Sequence, residues 1–186
     1  MATCPTVVFD ANFNNSKLKL TNVLLNESRI GFVEVLRRMN CLIIQSNESI
    51  HNGEKVGDLT FSSSSIKAVE VEPEIIPSII DEIPILAVVA AFSSGVTVFK
   101  NVEELKYKEC DRLGAIIHNL QAFGIKAYEN NNNLYVEGGK VKKMSQITTF
   151  DDHRIAMAFT ILSLAAFKKY DLDNTKCVDI LSLIHI

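Results

Sequence analysis

Three short segments of the chain hold residue types that can bind an anion and move protons. The densest is Lys106-Tyr107-Lys108-Glu109-Cys110-Asp111-Arg112, placed where a loop gives way to a helix predicted to start near Asp111. Loop-to-helix junctions of this kind commonly receive anions. On a helix, Lys108 and Arg112 are four residues apart and share one face, where both could address one phosphate or carboxylate. Glu109 beside them is a candidate proton donor. The competing account is a solvated helix start with local ion pairs.

The second segment, Asp151-Asp152-His153-Arg154, precedes a stretch too apolar for a surface helix. An arginine at the start of a buried helix needs a partner. That partner is either Asp151 or Asp152, or a ligand carboxylate gripped through both guanidinium nitrogens. His153 has no second His or Cys at ligand spacing, so a hydrogen-bonding role is expected rather than a metal site. The third segment is Ile80-Asp81-Glu82-Ile83-Pro84. A carboxylate held there could act as a general base beside the cationic clusters. All four acids of the second and third segments have a plainer reading as helix caps that complement the dipole, with Pro84 suited to a first turn.

The elements that must position these segments follow a repeated pattern. Lys17 to Val23 alternates as a strand, and Ser28 to Met39 carries the helical stripe Ile30, Phe32, Val33, Val35, Leu36 and Met39 with Arg37 and Arg38 on the outer face. Strands Cys41 to Gln45 and Asp58 to Phe61 follow, around a turn at Asn52-Gly53. The same order recurs as strand Val96 to Phe99, helix Asp111 to Phe123, and strands Ile125 to Tyr128 and Asn133 to Val136 around an Asn-rich turn. Arg29 aligns with Arg112 at a spacing of 83 residues and Leu36 with Leu120 at 84, which predicts an internal duplication. The helix ends correspond as well, with Asn40 and Gly124 suited to a left-handed C-cap. Two further helices, Ile83 to Phe92 and Arg154 to Phe167, are apolar nearly all round and are expected at the centre.

Bulk properties narrow the class. A chain of 186 residues, 47% hydrophobic and 22% charged, predicts one globular α/β unit. The net charge of −3 gives no electrostatic footprint for nucleic acid or an anionic membrane, so an anionic ligand must be held by a few local cations. The apolar runs are too short to span a bilayer. Cys4, Cys41, Cys110 and Cys177 are scattered and no secretory signal is present, a pattern that suits reduced thiols in a cytoplasm.

Taken together and in order, the three segments resemble the 5-enolpyruvylshikimate-3-phosphate (EPSP) synthase family. Asp81-Glu82-Ile83-Pro84 with the following Leu86-Ala87-Val88-Val89-Ala90-Ala91-Phe92 is similar to the family's Asp-Glu-x-Pro and Ala-rich helix. Glu104 to Arg112 resembles its Glu-Leu-Arg-x-Lys-Glu-Ser-Asp-Arg signature, and Asp152-His153-Arg154-Ile155-Ala156-Met157 its Asp-His-Arg-x-Ala-Met. Lys106 stands for the usual Arg, and Cys110 for the usual Ser or Thr. Leu25 to Phe32 also looks like a family segment, so the likeness runs from about Thr3 to Val178.

The resemblance implies an α/β (α+β) lobe built from repeated β-α-β-β units, helices inside and sheets outside. It implies transfer of the enolpyruvyl group of phosphoenolpyruvate to the 5-hydroxyl of shikimate 3-phosphate by addition and elimination, with no metal or organic cofactor demanded. Asp81 matches the carboxylate near the shikimate 5-hydroxyl. Lys108 matches the lysine that contacts both substrates, and Glu109 the acid that protonates the phosphoenolpyruvate methylene carbon. Arg112 and Arg154 match the pair that clamps the phosphoenolpyruvate carboxylate, with His153 as their neighbour. The family's other lobe supplies a Lys-Ser-x-x-x-Arg segment, a shikimate-phosphate segment and another arginine, none of which is in this sequence. Residues 1–178 are therefore expected to be a C-terminal lobe truncated at its N-terminus, inactive alone and partnered by the missing lobe. After Val178 the family pattern stops abruptly, and residues 179–186 are expected to be a non-native tail. The rival assignments are an enzyme like UDP-N-acetylglucosamine enolpyruvyl transferase and a non-catalytic binding lobe.

Overall fold

The computed structural model describes residues 17–26, 30–62 and 64–178. Ser28 and Arg29 in the first helical stretch, the segment near Thr3 and the tail 179–186 lie outside them.

The alternating segment at the start is strand β1 (Lys17–Leu24), followed by helix α1 (Gly31–Arg38) and strands β2 (Leu42–His51) and β3 (Glu54–Ser62). β3 lies between β1 and β2 and pairs antiparallel with both. The second copy has β5 (Val96–Phe99), α4 (Arg112–Ala122), β6 (Lys126–Asn130) and β7 (Asn133–Glu137). Here β7 lies between β5 and β6 and again pairs antiparallel with both. The duplication read from the sequence is thus a duplication of topology. Both hairpins close through two-residue turns with positive φ at both positions, Asn52 (52°) and Gly53 (83°) in one, Asn131 (51°) and Asn132 (60°) in the other. Such turns match the right-handed twist of the strands they join. Both helix ends also reach the left-handed region, at Asn40 (70°) and Gly124 (81°).

The repeat is longer than β-α-β-β. Strand β4 (Glu70–Val71) pairs in parallel with β5, and between them lie the short helix α2 (Ile76–Ile79) and helix α3 (Ile83–Ala91). Helix α5 (His153–Phe167) is bracketed in the same way by a parallel bridge between Ile147 and Leu172. Each apolar helix is therefore a crossover between parallel segments, but only α3 is covered on all sides: nine of the fifteen residues of α5 are just partly buried, so α5 is less central than its apolar sequence predicts. Every residue of α3 is buried, and α3 packs on α5, α4 and β7. Each fully buried Leu, Ile or Val there contributes about 1.5–3 kcal/mol. The sheets keep one face in the core, with Leu134 and Val136 of β7 buried and their neighbours partly exposed. Among the described residues no helix is long and apolar enough to cross a membrane.

The first sheet was longer than its pattern suggested. β2 continues through the polar run Ser46 to Ser49, where the register with β3 shifts, and β1 shifts likewise between Leu20 and Val23. Both irregularities face Asp58 on the central strand. Its carboxylate accepts from the Asn22 amide at 3.2 Å and the Asn47 side chain at 2.8 Å, and pairs with Lys19 at 2.8 Å. The Lys19 hydrogen bond, with help from Asn47, holds the Asp58 carboxyl down at about 2.

Candidate active site

The three sequence segments converge on one side chain. Arg112, the first residue of α4, is wholly buried, and carboxylates engage all three of its nitrogens. Its Nε donates to Asp152 Oδ2 at 2.7 Å, Nη1 to Asp81 Oδ1 at 3.0 Å, and Nη2 to Glu109 Oε2. Arg154, in the first turn of α5, reaches the same Asp81, with Nη2 donating to Oδ2 and Nη1 to the Asp81 backbone carbonyl, each at 3.1 Å. One carboxylate, Asp81, is thus gripped by two guanidinium groups from different repeats.

Helix geometry sets these positions. Asp152 is the N-cap of α5, and its Oδ1 accepts from the Arg154 amide at 2.8 Å and the Ile155 amide at 3.3 Å. Asp111 caps α4 by accepting from the Gly114 amide at 3.0 Å. Asp111 has the non-helical dihedrals of an N-cap, φ −66° and ψ 82°, so α4 cannot continue back through it. A 3₁₀ turn covers Glu103–Tyr107, and Lys108 is extended at φ −87° and ψ −156°. Lys108 and Arg112 therefore do not share a helix face, which corrects the sequence expectation. Lys108 instead pairs with Glu104, within its own turn.

The capping account fails for three of the four acids. Glu82 occupies the N-cap position of α3 but makes no side-chain cap bond. The chain enters α3 directly from α2, with the Glu82 amide bonded to the Ile79 carbonyl at 2.8 Å, and Pro84 removes one amide that a cap would serve. Asp81 is left to bind the two arginines. Asp151 accepts from the Asn174 side chain at 2.6 Å and caps nothing. Only Asp152 caps, and it also holds Arg112. The partner of Arg154 is neither Asp151 nor Asp152, the two acids nearest in sequence, but Asp81, 73 residues away. His153 opens α5, half-buried beside these groups.

Electrostatics follow the contacts. Burial alone would lower the Arg112 pKa, but its bond to Asp152 and the charges of Asp152 and Glu109 outweigh this and raise it. Burial likewise pushes the Asp152 carboxyl up, and the Arg112 bond and charge bring it below its ordinary value. Cys110, 3.7 Å from Asp152 Oδ2, is raised to about 12 by burial and then by the Asp152 charge. It stays a thiol and serves as a weak donor, where a hydroxyl would make the same contact more strongly. Burial also raises Glu82, against the pull of Arg154 and with the push of Asp81. The sequence reading named Asp152 and Glu82 only as helix caps, with Asp152 also a possible partner of Arg154, and gave neither a place beside Arg112 or Asp81. The cap at Asp152 was legible from its position directly ahead of an apolar helix, but its second role depends on a contact 40 residues away.

Comparison with known proteins bears on this arrangement. The family model described as EPSP synthase (3-phosphoshikimate 1-carboxyvinyltransferase) matches residues 5–181. A 3-phosphoshikimate 1-carboxyvinyltransferase of Clostridium tetani is 44% identical over 163 residues, covering 87% of this chain and 37% of that protein. One from Petrotoga mobilis is 42% identical over 167 residues, covering 89% and 39%. Among solved structures, EPSP synthase from Acinetobacter baumannii superposes with a TM-score of 0.88 at 28% identity, over 94% of this chain and 41% of that one. The enolpyruvyl transferase NikO from Streptomyces tendae, at 18% identity and a TM-score of 0.62, shares the fold. The chain thus spans about two-fifths of the length of the relatives it matches. On the match of nearly its whole length, with the repeat and the arginine cluster in place, the chain belongs to the EPSP synthase family.

Proposed function

We propose that this chain forms the phosphoenolpyruvate side of a site that transfers an enolpyruvyl group to the 5-hydroxyl of shikimate 3-phosphate, in the cytoplasm. The observation that carries the reading is the convergence of Arg112 and Arg154 on one carboxylate, Asp81. Two guanidinium groups from separate elements that already grip a carboxylate are built to grip a ligand's. Lys108, extended four residues ahead of Arg112 and paired with Glu104, is the candidate for a further cation.

In the proposed reaction the 5-hydroxyl oxygen attacks C2 of phosphoenolpyruvate and gives its proton to Asp81. Glu109 delivers a proton to the methylene carbon. The resulting tetrahedral adduct expels phosphate by breaking the bond from C2 to the phosphate oxygen, and loss of a methyl proton to the Glu109 carboxylate restores the double bond. Fixed cations offset the charge of two phosphorylated reactants, and holding both in one site removes most of the entropic barrier. The rival reading, a lobe whose charges merely cap helices, loses ground because Asp81 and Glu109 cap nothing.

The test uses the chain together with the rest of an EPSP synthase, supplied by the Clostridium tetani relative. Arg154→Ala and Lys108→Ala should abolish product formation while leaving the thermal midpoint within a few degrees. Lost stability with preserved turnover would support the capping reading instead. The chain alone should bind phosphoenolpyruvate weakly and form no product.

A further inference from the structure

We infer that Asp152 is a positioning residue for the arginine pair, the one fully buried acid of the three around Arg112. This rests on the proposal that the pair binds a ligand carboxylate. Asp152 is fully buried, whereas the side chains of Asp81 and Glu109 are 36% and 54% exposed. Its two oxygens do separate work. Oδ1 accepts from the second and third amides of α5, those of Arg154 and Ile155, and so fixes where Arg154 leaves the helix. Oδ2 holds Arg112 Nε at 2.7 Å. A single carboxylate therefore sets the relative placement of two guanidinium groups that belong to different repeats. Nε is the nitrogen on the stem side of the guanidinium. Its capture leaves the Nη1 and Nη2 edge, now on Asp81 and Glu109, as the edge a ligand can take. The Cys110 thiol, donating at 3.7 Å, is a further contact to Oδ2.

The two roles can be separated by substitution. In Asp152→Asn the amide oxygen still caps α5, since Asn is as good an N-cap as Asp. Its NH₂ then faces the Arg112 Nε–H, donor against donor. In Asp152→Ala both roles are lost. We would measure three quantities on the 186-residue chain: amide exchange at Arg154 and Ile155, solvent exchange of the Arg112 Nε–H by ¹⁵N NMR, and phosphoenolpyruvate affinity by titration. Asp152→Asn should keep the amide protection, speed Nε–H exchange at least tenfold, and weaken phosphoenolpyruvate binding about tenfold. Asp152→Ala should lose the amide protection too. If Nε–H exchange in Asp152→Asn stays within twofold of the parent, Asp152 is a helix cap and nothing more. Should the parent chain show no phosphoenolpyruvate binding, the ligand reading falls for this chain, while the exchange comparison still decides the role of Asp152.

Discussion

Replacing Glu109 by glutamine removes an anion that competes with any incoming carboxylate for Arg112. All three nitrogens of Arg112 are engaged by acids, and its side chain has no exposed surface. A ligand carboxylate can reach it only by displacing one of them. Glu109, whose side chain is 54% exposed, is the partner that yields at least cost. A hydrogen bond to a charged partner contributes about 1.5–3 kcal/mol against about 0.5–1.5 for a neutral one, so Glu109→Gln weakens the internal competitor by about 1 kcal/mol. Solvent screening of a half-exposed acid reduces this to as little as about 0.5 kcal/mol. At about 1.4 kcal/mol per tenfold, the variant should bind phosphoenolpyruvate about 2- to 5-fold more tightly, even as turnover in the assembled enzyme collapses for want of a proton donor. Titration calorimetry on the parent and variant chains at neutral pH measures the affinities. Unchanged or weaker binding by Glu109→Gln would refute the displacement argument, because Glu109 would then be aiding the ligand rather than occupying its place.

Two further outcomes follow from the scaffold. Asp58 lies at about 2 in the fold, against an ordinary value of 3.8. A depressed carboxyl stabilises the fold above its unfolded value and loses that contribution as pH falls through the folded one. The stability deficit of Asp58→Asn should therefore be full above about pH 4 and shrink toward pH 2, as read from thermal midpoints across that range; a deficit independent of pH would show that the Lys19 bond does not carry it. A Cβ on Gly138 would stand 2.3 Å from the Ser93 carbonyl and 2.5 Å from that of Ala90. Backbone cannot yield as a side chain can, so Gly138→Ala should cost about 2 kcal/mol or more in urea unfolding, and a cost under about 0.5 kcal/mol would mean that the end of α3 moves freely against β7.

What the sequence disclosed depended on how far a residue lies from its partner. The Asn-Gly and Asn-Asn turns and the caps at Asn40 and Gly124 obey local steric rules, and each is where its residue type predicts. Segment β2 was cut short because Ser46 to Ser49 reads as loop; only the Asp58 carboxylate, on another strand, lets that polar run continue as sheet. The local reason that Lys108 does not share a helix face with Arg112 is legible in the sequence: Asp111 is a good N-cap, and a cap at Asp111 excludes one helix running through both residues. The partners of Asp81 were out of reach, since Arg112 and Arg154 lie 31 and 73 residues away and only the duplication brings α3, α4 and α5 together.

The charge count of the cluster then dictates how a ligand must enter. Within this ion-paired set of described residues, Arg112 and Arg154 supply two positive charges and Asp81, Glu109 and Asp152 three negative ones. The set is negative before anything binds. Adding a further carboxylate beside it would place like charges in contact next to the buried Arg112 and Asp152, where solvent offsets only part of the repulsion. Exchange is the favourable route, with an acid leaving as the ligand carboxylate arrives. Asp152 cannot leave, because it is buried and its other oxygen caps α5. The departing groups are then Glu109 and Asp81, the two that the proposed chemistry needs as proton donor and proton acceptor. A ligand carboxylate that takes the Nη1 and Nη2 edge of Arg112 displaces Glu109 and one oxygen of Asp81 from that edge. On the proposed chemistry, the substrate's own carboxylate would thus free the acid–base pair that acts on it.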